Sequence, residues 1–381
     1  MALSLTARKL VPCLSLQASL ARHSESAHPV LPFVPDFSRQ LRFRWPATFQ
    51  KHRGQTRHSF SQEAASARRG VVQAVVAGEV IDIQAESVVT QVETEAAQKP
   101  KTIDLACPIC YGPIERRGPE GFSRAAVDAS RFECPRCKRS FPGKQGYADL
   151  TVLEGAQEYA DFLPPGTQIF RNPLVSFVYE RGWRQGFAQA GFPGVDQEFV
   201  MAQRYLEPAA GGVLLDVSCG SGLFTRRFAS SGKYSAVIGS DFSESMLVQT
   251  RDFIRQDRTL DDANLALVRA DVGRLPFETG SIDGVHAGAA LHCWPSPSSA
   301  VAEISRVLRP GGVFVASTFL APRAPIPSPL ARQARQTFGP NSAYRQWKED
   351  ELRDLARACG LVDFCCTRNR QFIILSVRKA D

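Results

Sequence analysis

The chain has 381 residues, 44% of them hydrophobic and 22% charged, with a formal charge of +8 at pH 7. That length accommodates one large α/β domain plus a smaller module, and no run reaches the ~18 uninterrupted apolar residues that a membrane-spanning helix requires. As an average the positive charge points to nucleic acid, but its distribution does not.

Residues 1–70 hold 11 Lys/Arg against 3 Asp/Glu, whereas residues 71–381 hold 35 of each sign. The excess charge therefore belongs to a leader, and the body is electroneutral. The leader opens MALSLTARKLVPCLSLQASLARHS. It is rich in Ser, Ala and Arg, poor in acids, and lacks the continuous apolar core of a secretory signal. This composition predicts a disordered organellar transit peptide over 1–70, with the Ser-bearing, uncharged start favouring chloroplast over mitochondrion. A basic arm that binds RNA or anionic lipid is the competing reading. Residues 71–100 turn acidic and polar and read as a linker.

Residues 101–150 carry Cys107-Pro-Ile-Cys110 and Cys134-Pro-Arg-Cys137, with 23 residues between the pairs. Two such knuckles place four thiolates tetrahedrally around Zn²⁺ at about 2.3 Å, and the intervening residues suffice for a small hairpin. A structural zinc ribbon is expected, because four cysteines leave no open coordination position for catalysis. A redox dithiol or two disulfides are the alternatives. The neighbouring Arg136, Lys138 and Arg139 either touch nucleic acid or offset the thiolate charge; the second is preferred. The remaining cysteines show no ligand spacing and read as small buried hydrophobes.

Residues 151–200 form an aromatic-rich, helical connecting or cap segment that includes Tyr179 and Trp183. From 201 to 381 short β-branched runs alternate with helix-length segments, the pattern of a doubly wound α/β domain. The predicted strands are Val213–Val217, Ala236–Ser240, Leu265–Arg269, Ile282–His286, Gly312–Thr318, Leu361–Cys366 and Phe372–Arg378, the last two joined as an antiparallel hairpin through TRNRQ. A Pro-rich insert within 320–346 forbids helix or central strand and reads as a loop, either a lid over the ligand face or plain surface.

The first of these strands ends in Asp216 and runs through Ser218, Gly220 and Gly222 into a helix. Glycines there let backbone approach a ligand at the helix N-terminus, yet Thr225 stands where the dinucleotide pattern needs its third glycine. The second strand ends in Asp241 and Phe242, with Met246 in the following helix; an acid there can accept both hydroxyls of a ribose. The third ends in Asp271 and Val272, suited to an adenine amino group and ring. The fourth ends near Ala287 and leads to His286 and His292 as candidate bases, each weighed against a plain core histidine. Trp294, Tyr179 and Trp183 are candidates to stack on a planar acceptor, or are core.

In this ordered set the chain resembles the class I S-adenosylmethionine-dependent methyltransferases, in particular the ubiquinone and menaquinone C-methyltransferase group. The resemblance implies a Rossmann-like sheet of order 3-2-1-4-5-7-6 with an antiparallel seventh strand. By position, Asp216, Ser218, Gly220 and Gly222 would border the methionine portion of the cofactor. Asp241, Phe242 and Met246 would serve the ribose, and Asp271 and Val272 the adenine, with Ala287 alongside. The first glycine usual in the family is Ser218 here. Over its full length, with DVSCGSG, FVYERGWRQ and HAGAALHCWP, the chain is similar to a plant chloroplast methyltransferase family associated with plastoglobules, the lipid droplets of thylakoids. The CPIC…CPRC and GYADL pairing is also similar to bacterial ribosomal RNA guanine-N1 methyltransferases.

Three functions follow as expectations. The first is methylation of a small hydrophobic acceptor, such as a prenylquinone or plastid lipid, with peripheral association with plastid lipid droplets. The second is methylation of a ribosomal RNA base, disfavoured by the neutral body. The third is a non-catalytic scaffold that binds the cofactor.

Overall fold

The computed structural model describes residues 103–152, 183–260, 263–322 and 345–381. The expected transit peptide, the linker, most of the connecting segment, Tyr179 and the Pro-rich insert lie outside the described residues. The described chain opens with the cysteine module: β1 (Glu115–Arg117), α1 (Arg124–Asp128), β2 (Arg131–Glu133), β3 (Ser140–Lys144) and β4 (Tyr147–Asp149). Neighbours β1 to β4 pair antiparallel in chain order. Phe132 and Phe141 face each other across β2 and β3 and are fully buried. Each such ring contributes about 1.5–3 kcal/mol by leaving water.

After a 3-10 helix, Trp183–Ala190, and α2 (Val195–Tyr205), the alternating region forms as the strand signals require. β5 (Val213–Val217), α3 (Leu223–Ser230), β6 (Ala236–Asp241), α4 (Glu244–Gln256), β7 (Leu265–Arg269) and β8 (Ile282–Ala287) follow one another. Then come α5 (Pro297–Val307), β9 (Leu308–Phe319), α6 (Glu349–Ala358), β10 (Leu361–Asn369) and β11 (Phe372–Lys379). β5 and β8 are buried at every position. A parallel sheet is covered on both faces, so the polar residues these strands carry, Asp216, Asp283 and His286, are buried with partners.

Among the described residues eleven strands run in the order β1-β2-β3-β4-β7-β6-β5-β8-β9-β11-β10. From β7 onward this is the expected 3-2-1-4-5-7-6 arrangement, with β11 antiparallel to both β9 and β10. No cysteine spacing signals the join between the two parts. β4 pairs parallel with β7, matching Ala148 with Val268 and Asp149 with Arg269, so the cysteine module extends the sheet at what would be an open edge.

β9 starts at Leu308, four residues earlier than the pattern suggests. Arg309–Gly312 bulge between the pairings Ile282–Leu308 and Gly284–Val313, and Gly311 takes φ +73° there. The bulge brings the Arg309 guanidinium onto the buried Asp283 carboxylate, which also accepts the Val213 N–H at 2.8 Å. Among the described residues no helix is long and apolar enough to cross a membrane.

Candidate cofactor and metal sites

The carboxyl ends of β5, β6 and β7 lie side by side, the crevice where open α/β sheets bind ligands. The loop after β5 is tied directly to the end of β6. Cys219 N–H donates to Ser240 O at 3.0 Å, and Gly220 N–H donates to Asp241 Oδ2 at 2.9 Å. Asp241 Oδ1 accepts Ser243 N–H at 2.8 Å, which fixes the carboxylate at the head of α4. Burial pushes this carboxyl up to about 6, against the lowering effect of the Ser243 and Gly220 amides.

Backbone freedom is needed at this loop. Gly220 and Gly222 adopt φ +58° and +75°, and a Cβ on Gly222 would lie 2.3 Å from Thr250 Cγ2. The Thr250 hydroxyl, 2.8 Å from Gly220 O, holds the loop from α4. Gly222→Ala is therefore expected to destabilise the protein by about 2–3 kcal/mol, combining left-handed strain with overpacking. Urea denaturation would measure this, and adding Thr250→Ser should recover the steric part.

Ser218 stands in the left-handed region at φ +52°, a conformation costing most L-residues roughly 1–2 kcal/mol. Its side chain offsets the strain, because Ser218 Oγ accepts the Trp294 indole N–H at 3.0 Å. The departure from glycine thus gains a specific partner, and Trp294 is a buried strut joining the loops after β5 and β8.

Asp216 is buried with both oxygens occupied. The Thr225 hydroxyl donates to Oδ2 at 2.5 Å, and His286 Nδ1 lies 2.7 Å from Oδ1. His286 also packs against Phe224 and Phe228, each at 5.0 Å between ring centres. Asp216 and His286 therefore lock α3 and β8 to β5. Thr225, the residue in place of the third glycine, turns out to hold this acid, and Gly239 leaves room for its methyl. The sequence marked the position without indicating its use.

Asp271 Oδ1 accepts Gly273 N–H at 2.8 Å in a tight turn at the end of β7. Val272 beside it is half-buried against the main core. Phe242 is half-buried under the Arg269 guanidinium, Met246 is buried in the first turn of α4, and Ala287 is the fully buried last residue of β8. His292 sits further out, in a 3-10 turn after β8. Its Nδ1 is 3.3 Å from Thr318 Oγ1 and its ring meets Phe319 edge-on at 4.8 Å. Burial holds its pKa down at about 4, so the imidazole is neutral at physiological pH.

In the cysteine module the sulfurs of Cys107, Cys110, Cys134 and Cys137 all lie within 4.8 Å of one another. The two knuckles repeat one geometry. Cys107 N–H bonds Gly112 O and Cys134 N–H bonds Arg139 O, both at 2.8 Å, with Tyr111 and Lys138 both at φ +57°. Ile109 and Cys137 N–H groups point at the sulfurs of Cys107 and Cys134. None of the four forms a disulfide. As bare thiols they compete for protons: its bond with Cys137 brings Cys110 down to about 7, while Cys137 is pushed up to about 12 by Cys110 and burial. Four sulfurs this close ionise together only around a cation, and the donor set fits tetrahedral zinc.

The sheet order, the glycine loop and an acid at each of three successive strand ends are those of a class I S-adenosylmethionine-dependent methyltransferase. A methyltransferase-domain family model matches residues 215–316, from within β5 into β9. Two chloroplastic methyltransferases of Arabidopsis thaliana are each 50% identical to the chain. One matches over 291 residues, 75% of this chain and 81% of the relative, and the other over 278 residues, 72% and 78%. A demethylmenaquinone methyltransferase of Staphylococcus saprophyticus is 30% identical over 156 residues, 41% of this chain and 58% of that protein. Among solved structures, phosphoethanolamine N-methyltransferase 2 of Haemonchus contortus in complex with S-adenosyl-L-methionine superposes with a TM-score of 0.47 at 16% identity, covering 60% of this chain and 61% of that one. The chain belongs to the family of the two Arabidopsis proteins and is an S-adenosylmethionine-dependent methyltransferase.

Proposed function

We propose that this chain is a chloroplast methyltransferase acting on a small hydrophobic acceptor of the prenylquinone or plastid-lipid class, with structural zinc in the four-cysteine site. The observation that carries the acceptor class is the aromatic wall beside His292. Phe187, Phe192 and Phe319 stack edge and face at 4.6–5.1 Å between centres, and Phe319 packs on the His292 ring. The bond from Trp294 to Ser218 puts this turn next to the glycine loop. An apolar aromatic cluster beside this turn suits a planar apolar molecule better than a polyanion. The match to demethylmenaquinone methyltransferases and the chloroplastic relatives support the same reading.

When bound, S-adenosylmethionine supplies an activated methyl carbon, so the protein's work is alignment, exclusion of water and relief of any acceptor proton. In this reading Asp241 accepts the ribose hydroxyls, and Asp271 with Val272 receives the adenine. Gly220 and Gly222 admit the methionine portion, and neutral His292 accepts the acceptor's proton. Ser218, Phe242, Met246 and Ala287 line or support the same crevice.

His292→Asn is expected to lower turnover about a hundredfold while leaving cofactor affinity within about twofold. Steady-state kinetics with a cofactor titration checks this, and unchanged turnover would assign His292 to packing alone. The acceptor is tested by incubating the protein with methyl-labelled cofactor and either plastid lipid extract or ribosomal RNA. Label in a lipid-soluble product is expected. Label in RNA would replace the acceptor class, and label in neither, with cofactor bound, would restrict the chain to a binding role. Flotation of the protein with isolated plastid lipid droplets tests the peripheral association.

A further inference from the structure

Three links from the cysteine module converge on the ends of β6 and β7. In the first, Asp149 of β4 is fully buried and Arg269 of β7 is 3% exposed. Arg269 Nη1 donates to Asp149 Oδ2 at 3.0 Å, and Lys144 Nζ lies 3.1 Å from the same oxygen. The Thr151 hydroxyl donates to Oδ1 at 2.7 Å. Burial alone would raise the Asp149 pKa, but Thr151, Arg269 and Lys144 outweigh it and bring it below the usual value. The remaining arm of Arg269 is what matters for the site. Its Nε donates to the Phe242 carbonyl at 3.0 Å, and its guanidinium covers the Phe242 ring at 5.4 Å. Phe242 directly follows Asp241.

The second link runs from Tyr147 of β4, whose hydroxyl donates to Glu244 Oε1 at 2.5 Å, with Lys144 Nζ 3.3 Å from the same atom. Glu244 is the first residue of α4, so the turn Asp241–Glu244 is held at both ends. The third grips the loop after β7. Ala106 N–H donates to Pro276 O at 2.9 Å, Glu278 N–H donates to Asp104 O at 3.0 Å, and Arg306 and Arg274 flank the Tyr111 ring at 4.4 and 5.8 Å. Arg274 itself closes the Asp271 turn, its N–H donating to Asp271 O at 2.9 Å.

We infer that the cysteine module is a buttress for the adenosine half of the cofactor site, with Arg269 and Tyr147 as positioning residues that set the Asp241–Glu244 turn. The inference rests on the reading of Asp241 and Asp271 as the ribose and adenine acceptors. A buried ion pair is a poor source of stability compared with apolar packing. This pair spends its second donor on the backbone carbonyl next to the ribose acid. Lysine at 269 has no second rigid arm to reach both Asp149 and Phe242.

The test uses the full chain and two probes, S-adenosylhomocysteine and 5′-methylthioadenosine, the second lacking the amino-acid half. Dissociation constants are measured by calorimetry well below each variant's melting temperature. Arg269→Lys is expected to weaken both probes by the same factor, about tenfold, and Tyr147→Phe by about threefold. A parallel loss for both probes places the effect on the adenosine half, which a purely structural role does not produce. Unchanged constants in both variants, with only a lowered melting temperature, would overturn the inference and leave the module a sheet cap. So would a loss confined to S-adenosylhomocysteine, because that locates the effect at the methionine end. Tyr147→Phe removes one hydroxyl and keeps the ring, so it decides the matter if Arg269→Lys does not fold. Failure of the unaltered protein to bind either probe would instead overturn the cofactor site assignment, and this inference with it.

Discussion

Asp241→Ala is expected to weaken S-adenosylmethionine binding by about a hundredfold or more. In the proposed site this carboxylate accepts both ribose hydroxyls. Hydrogen bonds to a charged group are worth about 1.5–3 kcal/mol each, while about 2.8 kcal/mol suffices for a hundredfold. Alanine also strips the Gly220 and Ser243 amides of their acceptor, loosening the glycine loop and the head of α4 together. Calorimetric titration gives the change directly, and an affinity within threefold of the unaltered protein would remove Asp241 from the cofactor site.

The same carboxyl predicts the pH dependence. Because burial raises its pKa to about 6, it is protonated below that value and loses its second acceptor role. Cofactor affinity should then fall about tenfold per pH unit below about 6 and level off above about 7. For the unliganded fold the sign is opposite. A carboxyl whose pKa rises on folding contributes stability that is fully present below its ordinary value of 3.8 and is lost as pH rises through about 6. In the proposed site Asp241 is thus kept charged at a cost to the free fold, and ligand binding should offset it. His292, held at about 4, stays neutral through that window and does not contribute to an affinity change between pH 5 and 7.

The strand cores were legible because short, mostly apolar runs mark them, and each of the three acids sits at or beside the end of such a run. Val213–Val217 and Leu265–Arg269 coincide with the observed strands for that reason. The cysteine pairs were legible from their CxxC spacing, and their four sulfurs do lie within 4.8 Å of one another. What was hidden depends on contacts between distant residues. Nothing near Ser218 announces that Trp294, 76 residues later, would hold its hydroxyl. Nothing near Tyr147 or Asp149 shows that they meet Glu244 and Arg269, 97 and 120 residues away. The parallel pairing of β4 with β7 was equally hidden, since a three-residue strand carries too little periodicity to declare a partner.

Cys134→Ser is expected to abolish metal binding, taking one equivalent of zinc per chain to none, and to lower the melting temperature by at least about 10 °C. Cys134 is firmly held by its surroundings: its side chain is buried, and its sulfur accepts the Cys137 N–H at 3.3 Å. Structural zinc contributes apparent free energies of about 10–16 kcal/mol in small zinc modules, comparable to the whole stability of a domain. Without it the short strands β1 to β3 rely on a small apolar cluster around Phe132 and Phe141 and on a few bonds such as Arg116 to Ser130. Each kilocalorie lost corresponds to about 2–4 °C in a body of this size. Unfolding of the module would also strip β4 from β7, exposing the Leu150 amide that bonds Arg269 O at 3.0 Å and leaving a bare sheet edge prone to association. Hydrogen exchange at Tyr147–Leu150 should therefore accelerate before exchange in β5 or β8, and chelator treatment of the unaltered protein should reproduce the pattern. Metal-free protein that melts as before, with Cys134→Ser indistinguishable from it, would remove zinc from the fold and leave the cysteines as packing residues.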